Sequence, residues 1–113
     1  MAEPISLESL LDDASGAVAV GELDVAAGLF RKATELDPAS FDAWHGLGMV
    51  LMRVGDLKSA LGATLMATDL SPNDLLAWTA LSQVHVKLGN IADAEMAKGN
   101  ARILSLGGRI VRS

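Results

Sequence analysis

Two histidines, fourteen carboxylates and no cysteine bound the chemistry open to this 113-residue chain. Asp42 lies one helical turn before His45, so the two can share a face as a weak ligand pair. His85 stands 40 residues further on with no close carboxylate. A transition-metal site needs three or four ligands, so no metal is expected. The absence of cysteine excludes disulfides and thiolate zinc sites. Asp12 and Asp13 are adjacent, so on a helix they point to different faces and do not form a general acid–base pair. Gly107-Gly108 runs into Arg-Ile-Val rather than a helix start, which is not a phosphate-cradling loop. No nucleophile triad can be assembled. The expectation is a non-catalytic protein without a cofactor.

The elements that would position these residues repeat. Gly21, Gly55 and Gly89 are 34 apart, as are Ala26, Ala60 and Ala94, then Ala33, Ala67 and Ala101. Trp44 and Trp78, and Pro38 and Pro72, share the interval. A fixed period of this length marks stacked supersecondary units, each with an apolar face that only a neighbour can bury. The units are 7–40, 41–74 and 75–108, within a domain at 1–108 followed by a tail at 109–113. Each splits at a Gly into two helical segments. In the middle unit, Ser40 caps a helix with Trp44, Leu47, Gly48 and Leu51 at three- and four-residue steps. Gly55 ends it, and Asp56 caps a second helix whose Leu57, Ala60, Leu61, Thr64, Leu65 and Ala67 face inward. Pro72 closes the unit. The pattern predicts helices near 6–20, 23–36, 40–53, 57–70, 74–87 and 91–105. Loops of two to four residues make neighbours antiparallel. The fold class is all-α, three tandem antiparallel helix pairs, with no strand pattern.

Composition agrees. Half the residues are hydrophobic, and they are mostly Ala, Leu, Val and Met rather than aromatic. Net charge is -5, which argues against nonspecific nucleic-acid binding. The charge is uneven: residues 1–40 hold eight acids and two bases, residues 75–113 two acids and five bases. Met1 to Leu11 has no basic flank or long apolar run and does not read as a signal peptide. No stretch reaches the ~20 apolar residues of a membrane span, and a cytoplasmic location is expected.

The repeated residues resemble the tetratricopeptide repeat. The middle unit supplies Trp44, Leu47, Gly48, Leu51, Gly55, Ala60, Ala67 and Pro72, with Thr64 where the family often has an aromatic. The first supplies Gly21, Ala26, Phe30, Ala33 and Pro38, but has Leu10, Asp13 and Ala14 in place of Trp, Leu and Gly. The third supplies Trp78, Leu81, Gly89, Ala94 and Ala101, and departs at Ser82, Lys98 and Leu106. Asp13 at a packing position implies an irregular or exposed start to the first helix.

The resemblance implies a short right-handed superhelix that binds a protein or peptide partner. The first helix of each pair would line a concave groove. By position the first unit contributes Glu8, Leu11, Asp12, Ser15 and Val18. The second contributes Asp42, His45, Gly46, Met49, Met52 and Arg53, and the third Leu76, Thr79, Ala80, Gln83, Val86 and Lys87. His45, Met49, Met52, Arg53, Thr79, Gln83, Val86 and Lys87 are the expected partner groove. Met49 and Met52 either form its apolar floor or pack between units. A family subtype clamps a peptide's terminal carboxylate with Lys, Asn and Arg. The matching positions here are Leu11, Ser15, Gly46, Leu76 and Ala80, none cationic, so that mode is not expected. His45 is expected to be solvated and His85 packed. A small export or assembly chaperone for an amphipathic client helix, and a structural subunit of a larger complex, are the alternative roles.

The last helix leaves no room for a further capping helix. Met96, Ile103, Leu104 and Leu106 form an expected self-association edge for a homo-oligomer. Either the segment Arg109–Arg112 folds back over it or another chain covers it.

Overall fold

The structure is a computed structural model that describes residues 5–110. It contains six α-helices: α1 (Leu7–Ala19), α2 (Leu23–Leu36), α3 (Phe41–Val54), α4 (Leu57–Leu70), α5 (Leu75–Leu88) and α6 (Ile91–Ser105). No strand occurs among the described residues. The caps explain the one-residue differences from the predicted bounds. Ser6, Ser40 and Asp74 have extended backbones, and their side chains accept from the amides of Ser9, Ala43 and Ala77. They stand outside the helices they start. Gly55 and Gly89 follow the ends of α3 and α5 at φ of 90° and 81°. An L side chain in that region costs about 1–2 kcal/mol, which is why the glycine recurs.

Each helix packs on the next, and α3 also touches α1 and α5, whereas α2, α4 and α6 do not touch one another. The odd-numbered helices are therefore closer together, and the array is concave on their side. The result is an elongated body of 50 × 27 × 21 Å in which each pair meets only its neighbours. Close approach depends on alanine: Ala14, Ala26, Ala33, Ala43, Ala60, Ala67 and Ala77 are wholly buried. The two tryptophans are tied alike. Trp44 Nε1 donates to the Pro38 carbonyl and Trp78 Nε1 to the Pro72 carbonyl, both at 2.8 Å.

Three departures from the repeat pattern have local causes. Asp13 is exposed on a regular α1 whose buried face is carried by Leu10, Ala14 and Ala17. Thr64 is fully buried, and its hydroxyl donates to the Ala60 carbonyl at 2.9 Å. Its methyl leaves no space for a Cβ on Gly48, the ideal position being 2.8 Å away. Leu65, expected to face inward, is instead exposed, because the buried stripe of α4 runs through Ala60, Ala63, Thr64, Ala67 and Thr68.

The C-terminal end closes on itself. Gly107 takes a φ of 87°, and the amide of Gly108 returns to the Ile103 carbonyl at 2.9 Å. The Ile110 amide then donates to Asn73 Oδ1 at 2.7 Å, and the Ile110 side chain packs on the cluster of Trp78, Leu81, Ala97 and Ala101. Of the two expected coverings, a fold-back is seen at Ile110, and the other, by a second chain, stays open; Val111 to Ser113 lie outside the described residues, as do Met1 to Pro4. The last helix also carries its own polar end. Ala27, Phe30 and Thr34 are buried where α2 meets α3. The residues in register on α6 are Glu95, Lys98 and Arg102, all exposed. A seventh helix is therefore not required to hide an apolar stacking face.

Candidate functional site

Two adjoining clefts open on the concave side between α1 and α3. The first has a volume of about 520 Å³ and is lined by Leu7, Glu8, Leu11, Asp12, Ser15, Phe30, Asp42, His45 and Gly46. The second, of about 320 Å³, is lined by Ser15, Val18, Phe30, Gly46, Met49, Val50 and Arg53. Ser15, Phe30 and Gly46 belong to both, so the two form one trough.

The trough exists because of a local substitution. Phe30 reaches from α2 beneath α3, and Gly46 has no side chain to oppose it. A Cβ at Gly46 would lie 2.3 Å from Phe30 Cε1, far inside contact distance. The ring thus forms the floor of both clefts. In the next unit the residues in register are Thr64 and Ala80, a smaller side chain on the second helix and a larger one on the first. The trough lies at the junction of the first and second units.

Of the predicted groove residues, His45, Met49 and Arg53 line the trough. Thr79, Gln83, Val86 and Lys87 line neither cleft; Val86 is exposed on α5, and the Thr79 hydroxyl donates to the Leu75 carbonyl at 2.9 Å. Met52 is buried within the core cluster with Leu47, Val50 and Leu51. Met52 packs on the inner face of α3, whereas Met49 lies at the cleft. Ala80 is also buried. Phe30 and Val50 were not among the predicted lining residues; the signal for Phe30 was a second glycine in α3, at 46, beside the motif glycine at 48.

His45 is half-buried rather than solvated. Its ring stacks on Phe41, with centroids 5.3 Å apart and planes 11° from parallel, and its Nδ1 is buried with no hydrogen-bond partner among the described residues. Burial lowers its pKa below the usual 6.5, against the opposing pull of Asp74 and Asp42. The imidazole is therefore neutral at neutral pH. The unfolded chain takes up this proton more readily than the folded one. Stability is complete above the unfolded value of 6.5 and falls as the pH drops through the folded value. His45→Phe should keep the stack and remove this acid-side loss. Urea midpoints at about pH 7.5 and about pH 5.5 should move less in the variant than in the wild type. An equal shift in both would show that His45 does not carry it.

His85 is buried, with Nδ1 3.2 Å from Asn90 Nδ2. Among the described residues no three His, Asp, Glu or Cys side chains are grouped to hold a metal ion. No described helix is long and apolar enough to cross a membrane. Leu104 of α6 packs against the Trp78 cluster, while Met96 and Ile103 of α6, and Leu106 just after it, are exposed. Met96 and Ile103 are in register with Gly62 and Asp69 of α4, both exposed, so they lie on the outer flank of the array rather than its stacking end.

Three antiparallel helix pairs in a 34-residue register, curved toward their first helices, define a helical-repeat solenoid. Residues 11–74 match the tetratricopeptide repeat family, and the chain belongs to it. No curated protein matches the sequence. Among solved structures it is similar to MamA of AMB-1, at 24% identity and a TM-score of 0.85, covering 93% of this chain and 62% of that one. It also resembles the second repeat domain of Spaghetti (RPAP3) bound to the HSP90 peptide SRMEEVD, at 16% identity and a TM-score of 0.83, covering 87% and 91%. A third is the type III secretion translocator chaperone SycD of Yersinia enterocolitica, at 20% identity and a TM-score of 0.83, covering 90% and 77%. At these identities the likeness is one of fold. The chain spans 62% of the length of the MamA chain.

Proposed function

We propose that this chain is a non-catalytic protein-interaction module that holds a peptide or helix of a partner protein in the trough between α1 and α3. The observation that carries the reading is the Phe30 floor left open by Gly46, an apolar surface on the concave side with polar residues along its edges. Such a surface suits a segment with one or two anchoring apolar side chains. A similar fold binds a peptide in the Spaghetti (RPAP3) complex. That peptide, SRMEEVD, is acidic, whereas Leu11, Ser15, Gly46, Leu76 and Ala80 here supply no cation at the clamp positions. The likeness to SycD supports a second reading within the same class, a chaperone that shields a segment of its client.

Peptides selected from a displayed library should perturb the amide resonances of α1 and α3 around Phe30 and Met49. Met49→Glu places a charge at the apolar floor and should weaken those peptides by about tenfold or more, with helical circular dichroism unchanged. Met52 is not a fair site for this test, because a charge there would enter the core. Peptides that perturb only other helices, or that bind the variant equally well, would locate the functional surface elsewhere.

A further inference from the structure

The trough is electrically one-sided. Its larger cleft is edged by Glu8 and Asp12 from α1 and Asp42 from α3, and its lining holds no Lys or Arg. Glu8 and Asp42 occupy the first turns of their helices, where a carboxylate offsets the partial positive charge of the helix end. Two such ends contribute roughly one positive charge between them, against three carboxylates, so the edge stays negative by about two charges. His45 is neutral and does not reduce this. Asp74 lies close enough to act on the same imidazole, adding to the negative field. The one cation in the trough, Arg53, lies in the smaller cleft at the opposite end of α3.

Resting on the reading of the trough as a partner groove, we infer that its occupant is a cationic amphipathic segment. It places a large apolar side chain over Phe30 beside Gly46 and Met49. Its Lys or Arg side chains meet Glu8, Asp12 and Asp42. The apolar floor supplies contact area, and the charge edge fixes orientation and rejects acidic segments. Arg53 then favours a carboxylate or carbonyl at the far end of the same segment, which makes the trough directional.

The test uses two fluorescently labelled peptides, a Leu/Lys amphipathic sequence and the same sequence with every Lys replaced by Glu. The Leu/Lys peptide should bind the intact protein at least about tenfold more tightly, and raised salt should weaken it. Asp12→Lys with Asp42→Lys should abolish that preference. Asp24→Lys with Glu35→Lys, on the outer helix α2, makes the same change in net charge and should leave most of it. If the double change at Asp12 and Asp42 impairs folding, the salt dependence of the wild type and the amide shifts near Phe30 still decide the matter. Equal loss from both pairs would show attraction to overall charge and overturn the inference. Peptides that shift the trough amides without regard to charge would overturn it too, while leaving the groove itself in place. If no peptide of either charge, and none from the displayed library, shifts those amides, the groove reading falls and this inference with it.

Discussion

Replacing Trp78 with Ala is expected to destabilise the protein by about 3–5 kcal/mol, the usual cost of truncating a buried aromatic. Trp78 is 7% exposed and joins α5 to α6 through Leu81, Ala97 and Ala101. Its Nε1 also satisfies the Pro72 carbonyl, which would lose its donor. The Ile110 side chain would lose the surface it rests on. Domains of this size have about 5–15 kcal/mol in total, so the last pair would be close to unfolding. Trp44→Ala removes the corresponding bond to Pro38 but a ring that is only half-buried, and should cost less. Urea titration of both variants by circular dichroism measures the difference. Equal losses would show that the cover provided by Ile110 adds nothing to Trp78.

The second large effect is expected at Gly46. Gly46→Ala puts a methyl where the Phe30 ring now lies, since the ideal Cβ falls 2.3 to 2.8 Å from three ring carbons. Phe30 is itself buried in the core cluster, so it has little freedom to withdraw. Overpacking of this kind costs about 1–3 kcal/mol. Phe30→Leu alone should also destabilise. Together the two changes should cost less than their sum, because the smaller side chain vacates the space the methyl needs. A double-mutant cycle should give a favourable coupling of about 0.5–3 kcal/mol. The chain already contains such an arrangement one unit later, where Thr64 and Ala80 stand in register with Phe30 and Gly46. Strict additivity would show that the ring and the glycine do not oppose each other in solution.

The helical pairs were legible because their signals are local and repeated. Ser40, Asp56 and Asp74 each announce a helix start, Gly55 and Gly89 each announce an end, and the alanines at 34-residue spacing announce the buried seams. The trough was only partly legible. The repeat register placed His45, Met49 and Arg53 on the concave side but gave equal weight to α5, whose Thr79, Gln83, Val86 and Lys87 line neither cleft. Register assigns a residue to a helix face and says nothing of whether the neighbouring side chains fill the space. That depends on a pair distant in sequence, Phe30 and Gly46. The same limit applied to Met52, which is one turn along from Met49 yet turned into the core. At the end of the array, the apolar residues of α6 could be read from the sequence, but the polar face that Glu95, Lys98 and Arg102 make in register with the buried face of α2 emerges only once the helices are packed.

The bond from the Ile110 amide to Asn73 has a consequence for how the molecule comes apart. In a solenoid, opening starts at the ends, since the terminal units have one neighbour each. Here the ends are unequal. Releasing α6 requires breaking a contact that spans 37 residues and stripping Ile110 from the Trp78 cluster, whereas α1 is held by its helical neighbours alone among the described residues. Among the described residues the last helix pair is therefore tied down by its following segment, and the trough lies at the other end, where α1 relies on α2 and α3. A partner bound between α1 and α3 would add contacts to α1, so that occupancy of the groove and the integrity of the first helix pair would rise and fall together.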